Sequence, residues 1–298
     1  MAHQIPLDAA SVIGTDTGNG VIEVRPDVAY RRLAIVNVVF FGPVGAGDRG
    51  WVMIDTGLPD TAATIMACAA HRFGILARPS AIIQTHGHFD HVGVLEELAA
   101  HWDVPVYAHT LEHPYLDGSA AYPPPDPKIG GGLMSLISPL YPREPVNVGS
   151  RLQALPEDGS VPHMDGWRWI HTPGHSVGHI SLWREADRML LAADAVVTTA
   201  QESAYAVLTS ETELHGPPMY LTQDWPAARR SAEALAQLEP EYLLTGHGNA
   251  VHGPTVRAGM HELARHFDQI AHPPHPYYEL HPARAEDGSA YVTPSTPS

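Results

Sequence analysis

Short apolar runs and helix-spaced apolar positions alternate along most of the chain. Residues 21–24 and 32–41 read as strands, and the second is β-branched and almost continuously apolar, as a buried strand would be. A further strand over 51–54 ends at Asp55. Pro59 suits the first turn of a helix, and Ala62, Ile65, Met66, Ala69 and Phe73 then keep helical spacing. The run 81–83 is a strand leading into a polar stretch. After it Val92, Leu95 and Leu98 mark the buried side of a helix, with Glu96 and Glu97 outward, and 104–108 forms another short strand. This alternation predicts an α/β chain.

The pattern breaks over 112–150, where prolines and the run Gly130-Gly131-Gly132 leave only Leu133 to Ile137 for one or two helical turns. A long loop inside a compact domain leaves two readings, a lid or wall of the substrate pocket and a surface insertion or oligomer contact. Strands resume at 167–170, 180–183 and 189–192, and the last of these ends near Asp194. Asp224 or Trp225 opens a helix with Ala228, Ala232, Leu235 and Leu238 on one face. Residues 242–244 form a strand before His247, and 257–270 a last helix. The expected organisation is a leader over 1–20, one domain over 21–270 carrying the 112–150 insert, and a tail over 271–298 with a hairpin around Asp287-Gly288.

Composition narrows the function. The 298 residues carry a formal charge of −16 with one lysine, Lys128, which disfavours binding to phosphate backbones. No apolar run reaches the length of a membrane span, and the N-terminus lacks a basic segment followed by an apolar one. Cys68, the one cysteine, sits in an apolar helical pattern and reads as a buried structural thiol. It fits a reducing compartment, so a cytoplasmic location is expected. The expected partner is a small-molecule substrate, with neither nucleic acid nor membrane, and the tail suits packing on a second subunit of a homodimer.

The candidate chemistry is concentrated in Thr85-His86-Gly87-His88-Phe89-Asp90-His91. Three imidazoles and a carboxylate within six residues cannot share one helical face, but a tight turn after a strand lets them converge. Neutral imidazole and carboxylate suit a borderline divalent metal such as zinc. Further blocks follow the same theme: Asp55 in Ile54-Asp55-Thr56-Gly57, His175 in Thr172-Pro173-Gly174-His175, Asp194 in Ala193-Asp194-Ala195, and His247 between two glycines.

These blocks, in this order, resemble those of the metallo-β-lactamase superfamily, and the histidine blocks resemble its glyoxalase II-like branch. The resemblance implies a four-layer αββα sandwich and a dinuclear zinc-dependent hydrolase, in which a metal-bridging hydroxide cleaves an ester, lactone or thioester of a small molecule. It implies two Zn(2+) per chain, with iron or manganese as the other metals such sites take. His86, His88 and His175 would hold one metal, Asp90, His91 and His247 the other, and Asp194 would bridge them. Asp90 would also carry a proton as the catalytic residue. Asp55 and His179 would orient ligands, and Tyr205 and Tyr220 are candidates for touching substrate. The bridging Asp194 argues against a true β-lactamase. With Arg257 and Arg265 but no lysine near the last helix, a glutathione thioester is disfavoured. The alternatives are a phosphodiesterase or phosphotriesterase, a mononuclear iron dioxygenase of the same fold, and a non-catalytic metal-binding protein.

Overall fold

The computed structural model describes residues 5–200 and 212–295. The chain divides into two compact units. The first takes Gly14–Ala121 and Glu144–Trp167 together with the chain end after Val292. The second takes the chain up to Ile13, Tyr122–Arg143 and Arg168–Val292.

The first unit is built on an eight-stranded sheet. Its spatial order is Thr15–Asp16, Val21–Arg25, Val28–Leu33, Val36–Phe41, Val52–Ile54, Ala81–Ile83, Val106–Ala108 and Leu152–Ala154. Pairing is antiparallel as far as Val52–Ile54 and parallel from there on. Parallel neighbours need crossovers, and helices Ala62–Phe73 and Leu95–Trp102 supply two of them. One face of the sheet sends Val36, Val38, Phe40, Met53, Ile82 and Val106 into a core with Ile65, Ala69, Phe73, Leu95 and Leu98. Within it the Trp51 ring stacks on Phe73 at a centroid distance of 4.4 Å.

The apolar run 32–41 is not one strand. It turns at Ala34-Ile35, so that Leu33 pairs with Val36 across a two-residue hairpin, and Ala34 takes a φ of 53°. Such turns are ordinarily marked by glycine or asparagine. Here apolar side chains on both sides of an alanine hide the turn from pattern reading.

The second unit holds a five-stranded sheet in the order Trp167–His171, Ile180–Arg184, Met189–Ala193, Tyr242–Thr245 and Val251–His252. Met189–Ala193 pairs antiparallel with Ile180–Arg184 and parallel with Tyr242–Thr245. Helix Trp225–Ala236 starts where the Asp224 carboxylate accepts the Ala227 N–H at 2.8 Å, with Pro226 in the first turn. Its Trp225, Ala228, Ala232 and Leu235 pack with Leu190, Ala192 and Leu243 of the sheet and Met260 and Leu263 of helix Pro254–Arg265. The last helix expected over 257–270 is two pieces, Pro254–Arg265 and Phe267–Ile270, parted at His266.

The start of the chain belongs to this unit. Ile5–Pro6 pairs antiparallel with Glu213–Leu214, and Val12 bridges Val251. At the other end, the hairpin expected in the tail gives way to a helical turn over Tyr277–Leu280. Pro276 precedes that turn, and the residues flanking Asp287-Gly288 lack the apolar alternation a hairpin needs. The tail is fastened instead by single bonds: the Tyr278 hydroxyl donates to the Pro124 carbonyl at 2.5 Å, and the Tyr277 N–H to Asp126 at 2.8 Å. In the insert, Leu133–Ile137 forms the helical turn expected, with Ser135 buried and Leu133 and Leu136 exposed. Among the described residues no helix is long and apolar enough to cross a membrane.

Candidate functional site

In the first unit the candidate residues gather at the carboxyl ends of the parallel strands, where open α/β sheets ordinarily bind ligands. Strand Val52–Ile54 ends at Asp55, whose backbone sits in the left-handed region at φ 57°. Its carboxylate accepts four hydrogen bonds. Oδ1 takes Gln84 Nε2 at 2.9 Å and the Thr85 N–H at 2.8 Å, while Oδ2 takes the Thr85 hydroxyl and His91 Nδ1, each at 2.7 Å. Both oxygens are saturated by protein donors, so Asp55 orients other groups.

Strand Ala81–Ile83, wholly buried, delivers the histidine stretch. The turn is closed by the His91 and Val92 N–H groups donating to the His88 carbonyl. His86, His88, Asp90 and His91 are all buried. The His86 ring lies 4.2 Å from that of His91 and 4.8 Å, nearly perpendicular, from that of His88. The partners assign two tautomers. Thr85 gives its hydroxyl proton to Asp55 and therefore accepts from His86 Nδ1 at 3.1 Å, and Asp55 accepts from His91 Nδ1. In both rings Nε2 then presents its lone pair, the form that ligates a metal. The donor set therefore fits a zinc-type cation.

In the second unit three separate strand ends supply the candidates. After Trp167–His171 the chain turns through Gly174, whose φ of 131° and position against helix Trp225–Ala236 leave no room for a side chain. A Cβ there would fall 2.3 Å from the Ala228 nitrogen. His175 follows. Strand Met189–Ala193 leads to Asp194, and Tyr242–Thr245 leads to His247. Asp194 Oδ2 lies 3.0 Å from His247 Nε2 and 3.3 Å from His175 Nε2. All three residues are buried.

Two polar chains hold this arrangement. In the first, Ser181 donates to the Ala192 carbonyl, so Thr172 donates to Ser181 Oγ and accepts from His179 Nδ1. His179 Nε2 then accepts the Asp194 N–H at 3.0 Å. That nitrogen is committed to the backbone, so His179 fixes Asp194 in place. In the second chain, Thr245 donates to the His247 carbonyl at 2.6 Å and Thr198 to the Asn249 carbonyl at 2.7 Å.

Of the substrate candidates, Tyr220 is buried, with its ring 6.0 Å from that of Tyr141 and its carbonyl accepting the Asp126 N–H. Tyr205 lies outside the described residues. Cys68 is buried, and burial pushes its thiol up, which keeps it protonated and unreactive. Sequence reasoning gave no role to Gln84, Thr85, Glu112, Thr172, Ser181 or Thr198. Only Gln84 and Thr85 carried a signal, as a polar pair closing an apolar strand just before the histidines.

The Metallo-beta-lactamase superfamily profile matches residues 31–247. The chain is 49% identical over 232 residues to the probable metallo-hydrolase YflN of Bacillus subtilis (strain 168), a match covering 78% of this chain and 88% of that one. To the probable metallo-hydrolase YybB of the same organism it is 27% identical over 206 residues, covering 69% and 78%. Among solved structures, a β-lactamase domain protein from Burkholderia ambifaria aligns with a TM-score of 0.58 at 21% identity, covering 85% of this chain and 78% of that one. A B3 metallo-β-lactamase with an active-site glutamic acid aligns at 0.55 and 18% identity, covering 88% and 93%. At such identities these likenesses establish the mixed α/β metallo-β-lactamase fold.

Proposed function

The chain belongs to the metallo-β-lactamase superfamily and is a metal-dependent hydrolase of it, and on that premise we propose a dinuclear zinc enzyme that cleaves an ester, lactone or thioester of a small molecule. In this reading His86, His88 and His175 would hold one metal, Asp90, His91 and His247 the other, and Asp194 would serve both. The observation that carries it is the Asp194 carboxylate, whose Oδ2 has two imidazole Nε2 atoms within 3.3 Å. A carboxylate so placed is suited to bridging.

Bound zinc supplies a water acidified towards neutrality and polarises the scissile carbonyl. The chain's own residues do the rest. Asp55 locks the His91 ring by its Nδ1–H, and Thr85 does the same for His86, so neither imidazole rotates away from its task. His179 pins the backbone of Asp194. Asp90 takes up a proton on its carboxylate and passes it to the leaving oxygen or sulfur. With a charge of −16 and Cys68 as its one thiol, we place the enzyme in the cytoplasm, acting on a small molecule.

Elemental analysis of protein purified without added metal or chelator tests this, together with an Asp194→Ala variant assayed on ester, lactone, thioester and phosphoester panels. The expected result is close to two zinc per chain, and turnover at least about 100-fold lower in the folded variant. One iron per chain with oxygen uptake moves the reading to a dioxygenase. Unchanged turnover in Asp194→Ala removes that residue from the mechanism.

A further inference from the structure

Glu112 lies outside every block that suggested the metal reading, yet it is fully buried. It ends the short turn Thr110–Glu112 that follows strand Val106–Ala108, the parallel neighbour of the strand delivering the histidines. The two chain segments therefore leave the sheet side by side, and the Gln84 N–H donates to the Tyr107 carbonyl just before they do. The Glu112 turn is itself firmly built. His109 Nδ1 accepts the Leu111 N–H, the Glu112 N–H donates to the His109 carbonyl, and buried Tyr115 and Leu116 anchor the helix His113–Leu116 that follows.

Glu112 Oε2 accepts the Gly87 N–H at 2.9 Å. From the other side, Gln84 Nε2 donates to the His86 carbonyl at 2.8 Å. That carbonyl and that N–H are the two ends of one peptide unit, the one joining His86 to Gly87. A peptide gripped at both polar ends cannot rotate, and its rotation is the motion that would swing His86 and His88 apart. Burying a carboxylate is costly unless other bonds offset it, so packing alone does not account for a glutamate at this position.

We propose that Glu112 is a positioning residue for the metal site, clamping the His86-Gly87 peptide so that His86 and His88 present their rings to the same ion. The inference rests on the metal reading above and adds to it a residue from a different part of the chain. It acts on the backbone, at the Gly87 N–H.

The test uses the full chain, stripped of metal and titrated with cobalt(II) and zinc(II) against a competing chelator. Circular dichroism and thermal melting establish folding of each variant. Glu112→Ala is expected to weaken affinity about 10- to 100-fold and to alter the visible cobalt(II) bands. Glu112→Gln keeps an amide oxygen within reach of the Gly87 N–H and is expected to stay within about threefold of wild type, by the same scale. Should the alanine variant fail to fold, Glu112→Asp carries the test, because it withdraws the carboxylate by one methylene and is expected to behave as the alanine variant does. A folded Glu112→Ala with wild-type affinity and spectrum overturns the proposal, as does a Glu112→Gln as weak as the alanine variant. A wild-type chain that takes up neither metal overturns the metal reading itself, and this proposal with it.

Discussion

The first unit draws its candidate ligands from one stretch, His86 to His91, and four of the bonds that hold it converge on one carboxylate, Asp55. The second draws His175, Asp194 and His247 from three strand ends and spreads their support over two separate polar chains. A compact stretch is easily specified by the chain, but it leans most heavily on one hub, Asp55, which accepts four of its bonds. A dispersed arrangement needs the whole sheet to be in register, and each of its supports carries less. The difference should be visible as unequal sensitivity to mutation.

The largest effect is predicted at the hub. Asp55→Ala takes the acceptor from the Thr85 N–H, the Thr85 hydroxyl and His91 Nδ1, and stability should fall by about 3–5 kcal/mol. Urea unfolding measures it, and a loss under about 1 kcal/mol would sink the idea of a hub. His179→Ala should cost less, about 1–3 kcal/mol, since it removes one acceptor for the Asp194 N–H and one donor to Thr172. Its metal affinity should nevertheless drop about 10- to 100-fold in a chelator competition. If His179→Ala proves more destabilising than Asp55→Ala, the comparison is reversed.

The smallest effect concerns the tail that closes the second unit. Burial holds the Tyr278 phenol well above its ordinary range, and the neighbouring Tyr277 adds to this. A raised folded-state pKa stabilises the fold fully below the ordinary tyrosine value of about 10, and the contribution is lost as pH climbs towards the folded value. Tyr278→Phe should therefore cost about 1 kcal/mol at pH 7, from the hydrogen bond to Pro124, and the gap to wild type should narrow above about pH 10. Denaturant unfolding at both pH values checks it, and a gap that widens with pH contradicts the sign.

What was legible in the sequence follows the same division. The strands ending at Asp55, Gln84 and Asp194 were readable because their apolar runs stop abruptly at polar residues. The histidine stretch was readable because its donors are contiguous. Glu112 was not, because its meaning depends on Val106–Ala108 lying in parallel beside Ala81–Ile83, and no local pattern encodes which strand neighbours which. Thr172 and Ser181 escaped for a like reason, as ordinary hydroxyls that acquire a role once adjacent strands bring them within 3.0 Å. The hairpin at Ala34-Ile35 was lost to a different cause, a turn made without the glycine or asparagine that ordinarily marks one.

The pairing of Ile5–Pro6 with Glu213–Leu214 has a consequence in time. A chain emerging from a ribosome at roughly 5–20 residues per second offers the first of these segments on the order of 10–40 s before the second. Over that interval the N-terminal edge has no strand to join, while the strands from Val21–Arg25 to Val106–Ala108, with their helices, have all emerged. Residues 5–6 are thus made long before their partners, and a nascent chain stalled before residue 213 should leave them open to proteases.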